Sequence, residues 1–334
     1  MRQRWWQFLL VSTLASLVLS GCSGDPTLNV LDPQGTAGEK SLNLIYISFL
    51  LMMGVFAVVI TIFVYVLIKF RKRKGKDVMP EQVHGSTKLE IIWTVIPIAI
   101  LAALAVPTVR YTFDLAEKPT GSDVVNINVT GHQYWWEFEY PDEGFTTAQE
   151  MVIPVGKKVH LTINGKDVLH SFWVPALAGK VDVVPGKVNT MWLDAKKPGF
   201  YQGKCAELCG AGHALMDFRV YAKSEADYEK WLSTMKSSPA DVQTASASVQ
   251  EGEKLFKQNC LACHAGQNPS YEAPNLTKFG TRTSIAGIKE MNRENLKSWL
   301  KDPAAIKPGT KMPSFDYLNE QELNSLMDYL ESRK

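Results

Sequence analysis

The sequence predicts a multidomain membrane protein that combines a two-helix transmembrane hairpin, an all-β sandwich and an all-α C-terminal domain. Two apolar runs long enough to cross a bilayer lie in the N-terminal part of the chain. Short segments rich in β-branched and aromatic residues follow, separated by Gly, Pro, Asn and Asp. Segments with helical periodicity occupy the C-terminal part. At 334 residues the chain is long enough for two or three domains.

The N-terminus has the pattern of an export signal. Two arginines precede an apolar core at 8–19, and the segment ends in Leu-Ser-Gly-Cys at 19–22. This ending resembles a bacterial lipobox, so residues 1–21 are predicted to be a lipoprotein signal peptide, and lipid on Cys22 would anchor the chain in a bacterial cell membrane. An ordinary signal peptide with an incidental cysteine is the alternative. The polar residues 22–40, rich in Gly and Pro, are a predicted linker.

Residues 41–110 are predicted to form the transmembrane hairpin. The first span has no charged residue from 42 to 68, more than the roughly 20 apolar residues that cross a bilayer as a helix. The second span covers 91–109. Between them the run at 69–76 has six positive charges and no negative ones, and an excess of Lys and Arg marks the cytoplasmic side. Everything after about Arg110 is therefore predicted to be extracytoplasmic.

The rest of the chain divides at a low-complexity stretch. Strand-like segments such as 124–129 and 158–163 predict a sandwich over residues 111–236. The Ser-, Ala- and Gln-rich residues 237–248 are predicted to be a flexible linker. A helical domain is then expected over residues 249–334.

One loop of the predicted sandwich gathers four soft or borderline metal donors. Cys205 and Cys209 are separated by three residues, and His213 and Met216 follow within seven positions. These donors together favour copper or zinc, and structural zinc sites normally lack methionine. A blue-copper site uses one cysteine, so the extra cysteine favours two copper ions bridged by two thiolates. Each copper then needs a histidine, and His170 can supply the second.

A disulfide between Cys205 and Cys209 is the alternative, because disulfides persist in extracytoplasmic compartments. The chain has five cysteines, and an odd number argues against a simple disulfide framework. The nearby imidazoles and the thioether favour the metal site.

Residues 260–264, Cys-Leu-Ala-Cys-His, carry the C-x-x-C-H signature of c-type haem attachment. The signature predicts that Cys260 and Cys263 form thioethers with haem and that His264 is the proximal iron ligand. A thioredoxin-like dithiol is the alternative. That motif needs a βαβ context, whereas helical segments surround this one.

Three downstream methionines are candidates for the second axial ligand. Met327 has apolar spacing in a predicted helix, which is typical of core packing, and Met291 precedes a helix. Met312 lies in the loop PGTKMPSF, which resembles the methionine loop of class I cytochromes c. We therefore expect a class I cytochrome c domain with Met312 opposite His264. Pro274 resembles the residue whose carbonyl orients the proximal histidine.

The metal motif also resembles a known family. The sequence CAELCGAGHALM at 205–216, with DVLHSF at 167–172, strongly resembles subunit II of haem–copper cytochrome c oxidases, over roughly residues 40–222. The resemblance implies a cupredoxin-like sandwich with a dinuclear copper centre, Cu-A. The ligands that it implies are Cys205 and Cys209 as bridges, His170 and His213 as terminal imidazoles, Met216 as a weak ligand, and Glu207 through its carbonyl oxygen.

The same resemblance implies the activity and the partners. Electrons from a donor cytochrome c would pass through haem c and Cu-A to subunit I, which reduces oxygen and is coupled to proton pumping. Other oxidase subunits are expected neighbours, and the Glu207 carboxylate would face a magnesium ion shared with another subunit. The fused C-terminal domain is similar to the haem-c branch of bacterial oxidases. No nucleic-acid partner is expected, because the net charge is +2 and the basic run flanks a membrane span.

Three further positions take their interpretation from the resemblance. In GHQYWWEFEY at 131–140, Tyr134 occupies the place of the tryptophan that receives electrons, and Trp135 follows it. Core packing is the alternative for the neighbouring Trp136. Glu90, at the start of the second span, matches the acid at the mouth of a proton pathway into subunit I. An interfacial acid favoured by the helix dipole is the alternative for Glu90.

Other functions fit the pattern less well. A lipid-anchored electron shuttle or copper-storage protein needs only Cys22 as its anchor, and neither the hairpin nor Glu90. Nitrous oxide reductases share the copper motif but carry a large catalytic domain that this sequence does not show. Quinol oxidases keep the hairpin and the sandwich but lack the copper ligands found here at Cys205, Cys209 and His213.

Overall fold

The structure is a computed structural model that describes residues 5–6, 9–14, 16, 26–71, 82, 85–238, 241–264 and 273–334. The chain divides into two compact units, one of residues 39–117 and the other of residues 1–38 and 118–334. The predicted lipidation site, Cys22, lies outside the described residues.

Two long apolar helices, α1 (Thr36–Lys69) and α2 (Thr87–Ala116), make up the unit of residues 39–117. Both are long and apolar enough to cross a membrane, and the charged residues of α1 lie only near its two ends. A helix that is apolar on every face belongs in lipid or in a protein core, and here the apolar side chains are exposed. An ion pair of 3.0 Å joins Lys40 of α1 to Asp114 of α2. The two predicted apolar helices are confirmed.

Within the continuously described residues 85–238, ten strands follow the helices. They are β1 (Val125–His132), β2 (Trp135–Tyr140), β3 (Phe145–Ala148), β4 (Glu150–Pro154), β5 (Val159–Gly165), β6 (His170–Trp173), β7 (Lys180–Val183), β8 (Asn189–Leu193), β9 (Gly199–Cys205) and β10 (Asp217–Lys223). They form two five-stranded sheets in the orders β3-β2-β1-β5-β8 and β4-β10-β9-β6-β7. The predicted all-β sandwich is confirmed.

Aromatic side chains fill the space between the two sheets. Trp136, Phe172 and Phe218 are fully buried, and the rings of Phe172 and Phe218 stack with their centroids 4.7 Å apart. Successive side chains of a strand point to opposite faces, and the burial of β10 alternates accordingly. The Trp136 ring also meets His170 edge-on, with 5.9 Å between the centroids. The core of the sandwich therefore reaches a predicted metal ligand directly.

Helix α3 (Glu225–Lys236) closes the sandwich. The Ser224 side chain accepts a hydrogen bond from a backbone N–H in the first turn and caps the helix. Tyr228 and Leu232, four residues apart on one helical face, pack on Val152 of β4.

In the described residues 241–264 and 273–334, four helices and one short hairpin form the C-terminal domain. They are α4 (Ala247–Asn259), β11 (Ser284–Ile285), β12 (Lys289–Glu290), α5 (Arg293–Lys301), α6 (Pro303–Ile306) and α7 (Glu320–Ser332). Helices α4 and α7 cross closely at Gly252, where an added Cβ would lie only 2.0 Å from the carbonyl oxygen of Ser325. The predicted helical domain is confirmed, with the hairpin added to it.

Candidate metal centres

Two adjacent strands and one loop bring the predicted copper donors together. His170 begins β6 and Cys205 ends β9, and these strands pair with Phe172 opposite Cys205. After Cys205 the chain turns through a loop that contains Cys209 and a 3-10 turn at His213–Leu215. Strand pairing therefore places a histidine beside a cysteine that follows it 35 positions later.

Two cysteines and two histidines form the centre of the site. The Sγ atoms of Cys205 and Cys209 are 3.9 Å apart and both thiols are free, whereas a disulfide holds its sulfurs about 2.05 Å apart. Nδ1 of His170 lies 3.9 Å from Sγ of Cys205. Nδ1 of His213 lies 3.7 Å from Sγ of Cys209. Each thiol is thus paired with one imidazole.

Met216 and Glu207 complete the ring of donors. Sδ of Met216 lies 3.7 Å from Sγ of Cys209, and the carbonyl oxygen of Glu207 lies 3.2 Å from Sγ of Cys205. His170 and Met216 are fully buried, and neither cysteine is more than 7% exposed. Five side-chain donors and one carbonyl oxygen therefore lie close together, with four of the five side chains buried and His213 half-buried.

The electrostatics of the thiol pair favour a bound cation. The hydrogen bond from Cys209 lowers the pKa of Cys205, and the same contact raises the pKa of Cys209. Two thiolates only 3.9 Å apart would repel each other in a buried site unless a cation lies between them. Because the thiolate is the form of cysteine that binds metals, metal cations suit this arrangement.

Asp167, which the sequence analysis did not single out, orients one of the histidines. Its Oδ1 accepts a hydrogen bond from Nε2–H of His170 at 2.9 Å, which leaves Nδ1 facing Cys205. Burial disfavours the charged form of His170, but hydrogen bonds with Cys205 and Asp167 outweigh it and raise the pKa of His170. Metal-bound histidines commonly donate their other N–H to a carboxylate. The available signal was an aspartate three positions before His170.

A cavity of about 360 Å³ in the C-terminal domain collects the predicted haem-binding residues. Cys260, Cys263, His264 and Met312 all line it, although they come from two distant segments of the sequence. A mainly apolar cavity with a few convergent polar groups is typical of a cofactor site.

Hydrogen bonding and burial suit His264 to its predicted role as an iron ligand. Its Nδ1–H donates to the carbonyl oxygen of Pro274 at 2.7 Å, which leaves Nε2 as the other ring nitrogen. Burial lowers the pKa of His264 and so favours the neutral imidazole that binds metals. Among the described residues, Met312 lines the cavity, whereas Met327 is buried in the helical core and Met291 packs against that core.

Tyr134 and Trp135 lie between two predicted sites. One is the copper loop, residues 205–216, and the other is the haem cavity described above. Both line the cavity, and each is 8% exposed. A Cβ at Gly212 of the copper loop would lie 2.5 Å from Cγ of Tyr134, and one at Gly309 of the C-terminal domain would lie 2.8 Å from its Cε2. The Tyr134 ring therefore contacts both loops. Trp135 stacks on His132 with the ring centroids 4.1 Å apart.

The copper loop is tied to the same turn by hydrogen bonds. Oδ2 of Asp167 accepts from the backbone N–H of Gln133 at 2.6 Å. The side-chain amide of Gln133 donates to the carbonyl oxygen of Cys209, also at 2.6 Å. Gln133, another residue that the sequence analysis missed, thus connects the copper loop to the residue before Tyr134.

Glu90 and Trp136 are the last two positions for which the sequence left alternative roles. Glu90 is an exposed residue in the first turn of α2. Trp136 is fully buried, and its indole N–H donates to the carbonyl oxygen of Met216 at 3.4 Å. The core-packing interpretation of Trp136 agrees with this placement.

Comparison with known proteins gives a match for each part of the fold. Residues 31–111 match the family model for the transmembrane domain of cytochrome c oxidase subunit II, and residues 143–223 match the model for its periplasmic domain. Residues 249–334 match the cytochrome c family model.

Two relatives are similar over nearly the whole chain. Cytochrome c oxidase subunit 2 of Alkalihalophilus pseudofirmus is 45% identical, over 98% of this chain and 97% of that protein. Cytochrome c oxidase subunit 2 of Bacillus subtilis is 42% identical, with 98% of each chain covered. Among solved structures, the periplasmic domain of subunit II of cytochrome oxidase from Bradyrhizobium japonicum is 34% identical, with a TM-score of 0.33, and the match covers 35% of this chain and 96% of that one.

The three family matches fall on the two apolar helices, the sandwich and the C-terminal helical domain. The similarity to the two relatives runs through all three parts, because it covers 98% of the chain. The chain therefore belongs to the cytochrome c oxidase subunit II family, as a terminal-oxidase subunit with a fused cytochrome c domain.

Proposed function

We propose that this chain carries electrons from a donor cytochrome c, through a covalently bound haem c and a dinuclear Cu-A centre, to the oxygen-reducing subunit I. The observation that carries the proposal is the group of two thiols, two imidazoles and one thioether, whose neighbouring atoms lie 3.7 to 3.9 Å apart. Structural zinc sites and blue-copper sites use different sets of donors.

The donor set fits a pair of copper ions. The residues that would hold them are Cys205 and Cys209 as bridges, His170 and His213 as terminal ligands, and Met216 and the Glu207 carbonyl as weak ligands. When bound, a thiolate-bridged copper pair supplies a one-electron redox centre whose charge is shared by two metals. The protein holds these ligands in the buried end of the sandwich, which limits their movement and keeps water away.

The cavity of the C-terminal domain fits one haem c. Cys260 and Cys263 would form the thioether bonds, and His264 and Met312 would be the axial ligands. A methionine opposite a histidine raises the haem potential, as an electron donor to an oxidase requires. Arg282 also lines the cavity, where burial lowers its pKa to about 10, and this cation suits a carboxylate of the haem.

The two centres are connected through the turn at Tyr134 and Trp135. Tyr134 contacts the copper loop on one side and the C-terminal domain on the other, and both aromatic residues line the haem cavity. This placement supports a path for electrons from the haem domain to the copper ligands. The Tyr134 ring, which lies between the copper loop and the C-terminal domain, would also exclude water from that space.

The remaining assignments concern the membrane and the other subunits. We place the hairpin in a bacterial cell membrane with lipid on Cys22, which mass spectrometry of the mature chain tests. Glu90 is proposed to deliver protons to the pathway of subunit I. Glu90→Gln should then slow oxygen consumption and leave the copper and haem spectra unchanged. Its neighbour Lys88→Gln is the control and should not slow oxygen consumption. The Glu207 carboxylate is the candidate magnesium ligand at the contact with subunit I.

Optical spectra of the purified oxidase test the proposed function with reciprocal variants. Cys205→Ser should remove the copper absorbance of this chain and keep the covalent haem, because the two sites share no ligand. Cys263→Ser should disrupt the covalent haem and keep the copper absorbance. Spectra in which neither variant removes its own signal would contradict the assignment of the two centres.

A further inference from the structure

We propose that the hydrogen bonds that Lys307 donates and Glu150 accepts fix the cytochrome domain on the sandwich, and that both are positioning residues for electron transfer past Tyr134. The proposal rests on the proposed function, in which electrons pass between these domains. Both domains belong to the same compact unit of residues 1–38 and 118–334. Neither residue is a predicted ligand of copper or haem, although Lys307 also lines the cavity that would hold the haem.

Lys307 is a buried lysine that bridges the domains. It is 3% exposed, and its Nζ donates to the carbonyl oxygens of Tyr134 at 3.0 Å and Ala286 at 2.7 Å. Lysine is almost never fully buried without a partner, because removing its charge from water is costly. Burial lowers the pKa of Lys307 to about 7, and the neutral amine still has two N–H donors for the two carbonyls. The side chain therefore holds the Tyr134 backbone in place.

Glu150 makes the complementary contact from the sandwich side. Its Oε1 accepts three hydrogen bonds from the cytochrome domain: from the backbone N–H of Thr283 at 2.9 Å, from its hydroxyl at 2.9 Å, and from the Ser284 hydroxyl at 2.8 Å. The residue is 9% exposed. Hydrogen bonds to an ionised acceptor are stronger than those between neutral groups. A carboxylate buried with three donors from another domain indicates a fixed contact.

The backbone at this contact is shaped for close approach. Gln149 and Ala286 both adopt left-handed conformations, with φ of 67° and 54°, which non-glycine residues rarely do. The Gln149 side chain donates to the carbonyl oxygen of Ala286 at 2.8 Å, the same oxygen that Lys307 contacts. A Cβ at Gly287 would lie 2.5 Å from the carbonyl oxygen of Asp217, so only glycine fits there. Costly conformations persist where the surrounding structure determines them, as at this contact.

The contacts of Lys307 and Glu150 would fix the distance between the haem cavity and the copper donors. Electron transfer between proteins weakens steeply with the gap between donor and acceptor, so a small shift of the cytochrome domain would slow it. Lys307 binds the carbonyl oxygen of Tyr134, the residue that contacts the copper loop and lines the haem cavity. Loss of its hydrogen bonds would let the Tyr134 turn and the cytochrome domain move apart.

The experiment compares two matched pairs of variants in the purified oxidase. Lys307→Met keeps the length of the side chain and removes its donors, with the exposed Lys289→Met as its control. Glu150→Ala removes the shared acceptor, with the exposed Glu290→Ala as its control. Hydrogen–deuterium exchange is measured at residues 283–291, and electron transfer from haem c to copper is followed after rapid photoreduction.

Both test variants should increase exchange at 283–291 by about tenfold or more, and slow electron transfer by a similar factor, with the haem and copper spectra unchanged. The controls should match the wild type. If Lys307→Met fails to fold, Glu150→Ala decides the outcome from the other domain. Exchange at wild-type rates in the variants that fold would overturn the proposal, whatever the transfer rate. Absence of haem or copper from the wild type would instead contradict the proposed function.

Discussion

At the scale of single residues, the site depends on groups that hold the ligands as well as on the ligands. The two carboxylate oxygens of Asp167 accept hydrogen bonds from different partners. Oδ1 accepts from the His170 imidazole and Oδ2 accepts from the Gln133 backbone N–H. An amide in this place has a single acceptor oxygen and can satisfy only one of the two donors.

Asp167→Asn should therefore weaken copper binding by roughly 10- to 100-fold, the usual effect of losing a group that orients a metal ligand. A chelator competition assay on the purified chain measures this affinity. Asp182→Asn is the control, because the Asp182 carboxylate is exposed and lies in a surface ion pair of 3.6 Å with Lys180. Equal copper affinities for the two variants would contradict the role of Asp167 in orienting His170.

Met312 is distinguished from the other candidate methionines by its place in the haem cavity. Met312→Leu should lower the reduction potential of the haem by a measurable part of the roughly 0.8 V range that axial ligands cover. Met291→Leu should leave the potential at the wild-type value, because Met291 packs against the core outside the cavity lining. A redox titration followed by haem absorbance checks both. A drop for Met291→Leu alone would reassign the ligand.

The candidate copper and haem ligands could be proposed from the sequence because short spacings of Cys, His and Met are typical of these sites. Cys205 to Met216 lie in one loop, and Cys260 to His264 are contiguous. Asp167 had a usable signal, since it precedes His170 by three positions. Lys307 had none, because its burial arises from a contact between two domains. Nothing in the sequence around it separates it from an exposed lysine.

At the scale of elements, the C-terminal helix α7 begins with a complete capping box. The Asn319 side chain accepts from the backbone N–H groups of Gln321 and Glu322, and the Glu322 carboxylate accepts from the Asn319 backbone N–H. This arrangement satisfies donors that every helix start leaves open. Because α7 packs on α4, which leads to the cysteines predicted to bind haem, its start matters for the whole domain.

Asn319→Ala should lower the free energy of unfolding of the cytochrome domain by about 1 kcal/mol. Urea denaturation followed by haem absorbance measures the change. The exposed neighbour Gln321→Ala serves as the control and should have little effect, since surface substitutions usually stay within about 0.5 kcal/mol. Equal losses in the two variants would argue against the cap.

The sequence was less informative about the short elements. The apolar helices α1 and α2 have a strong signal over 42–68 and 91–109, but α1 begins at Thr36, inside the predicted linker, and α2 continues to Ala116, beyond the predicted hairpin. Strands such as β6 and β7 have four residues each. β7 is largely exposed and carries no alternating pattern for burial. Within the predicted flexible linker, the structure has a 3-10 turn at Val242–Thr244, capped by the Asp241 side chain. Capping by a single polar side chain is hard to separate from loop chemistry in sequence.

At the scale of the whole molecule, the proposed electron path depends on what covers Tyr134 and Trp135. Tyr134 and Trp135 are each only 8% exposed, and both face the haem cavity. In the proposed function, a soluble donor would therefore meet the cytochrome domain and not these two aromatic side chains. The proposed order of transfer, from haem c to copper, follows from this burial.

The most direct test is the metal content of the isolated full-length chain, purified in detergent without its partner subunits. We expect two copper atoms and one iron atom per chain, with the copper reduced to near zero in Cys205→Ser and the iron unchanged. One copper atom per chain, or a copper content that Cys205→Ser leaves intact, would contradict the dinuclear site.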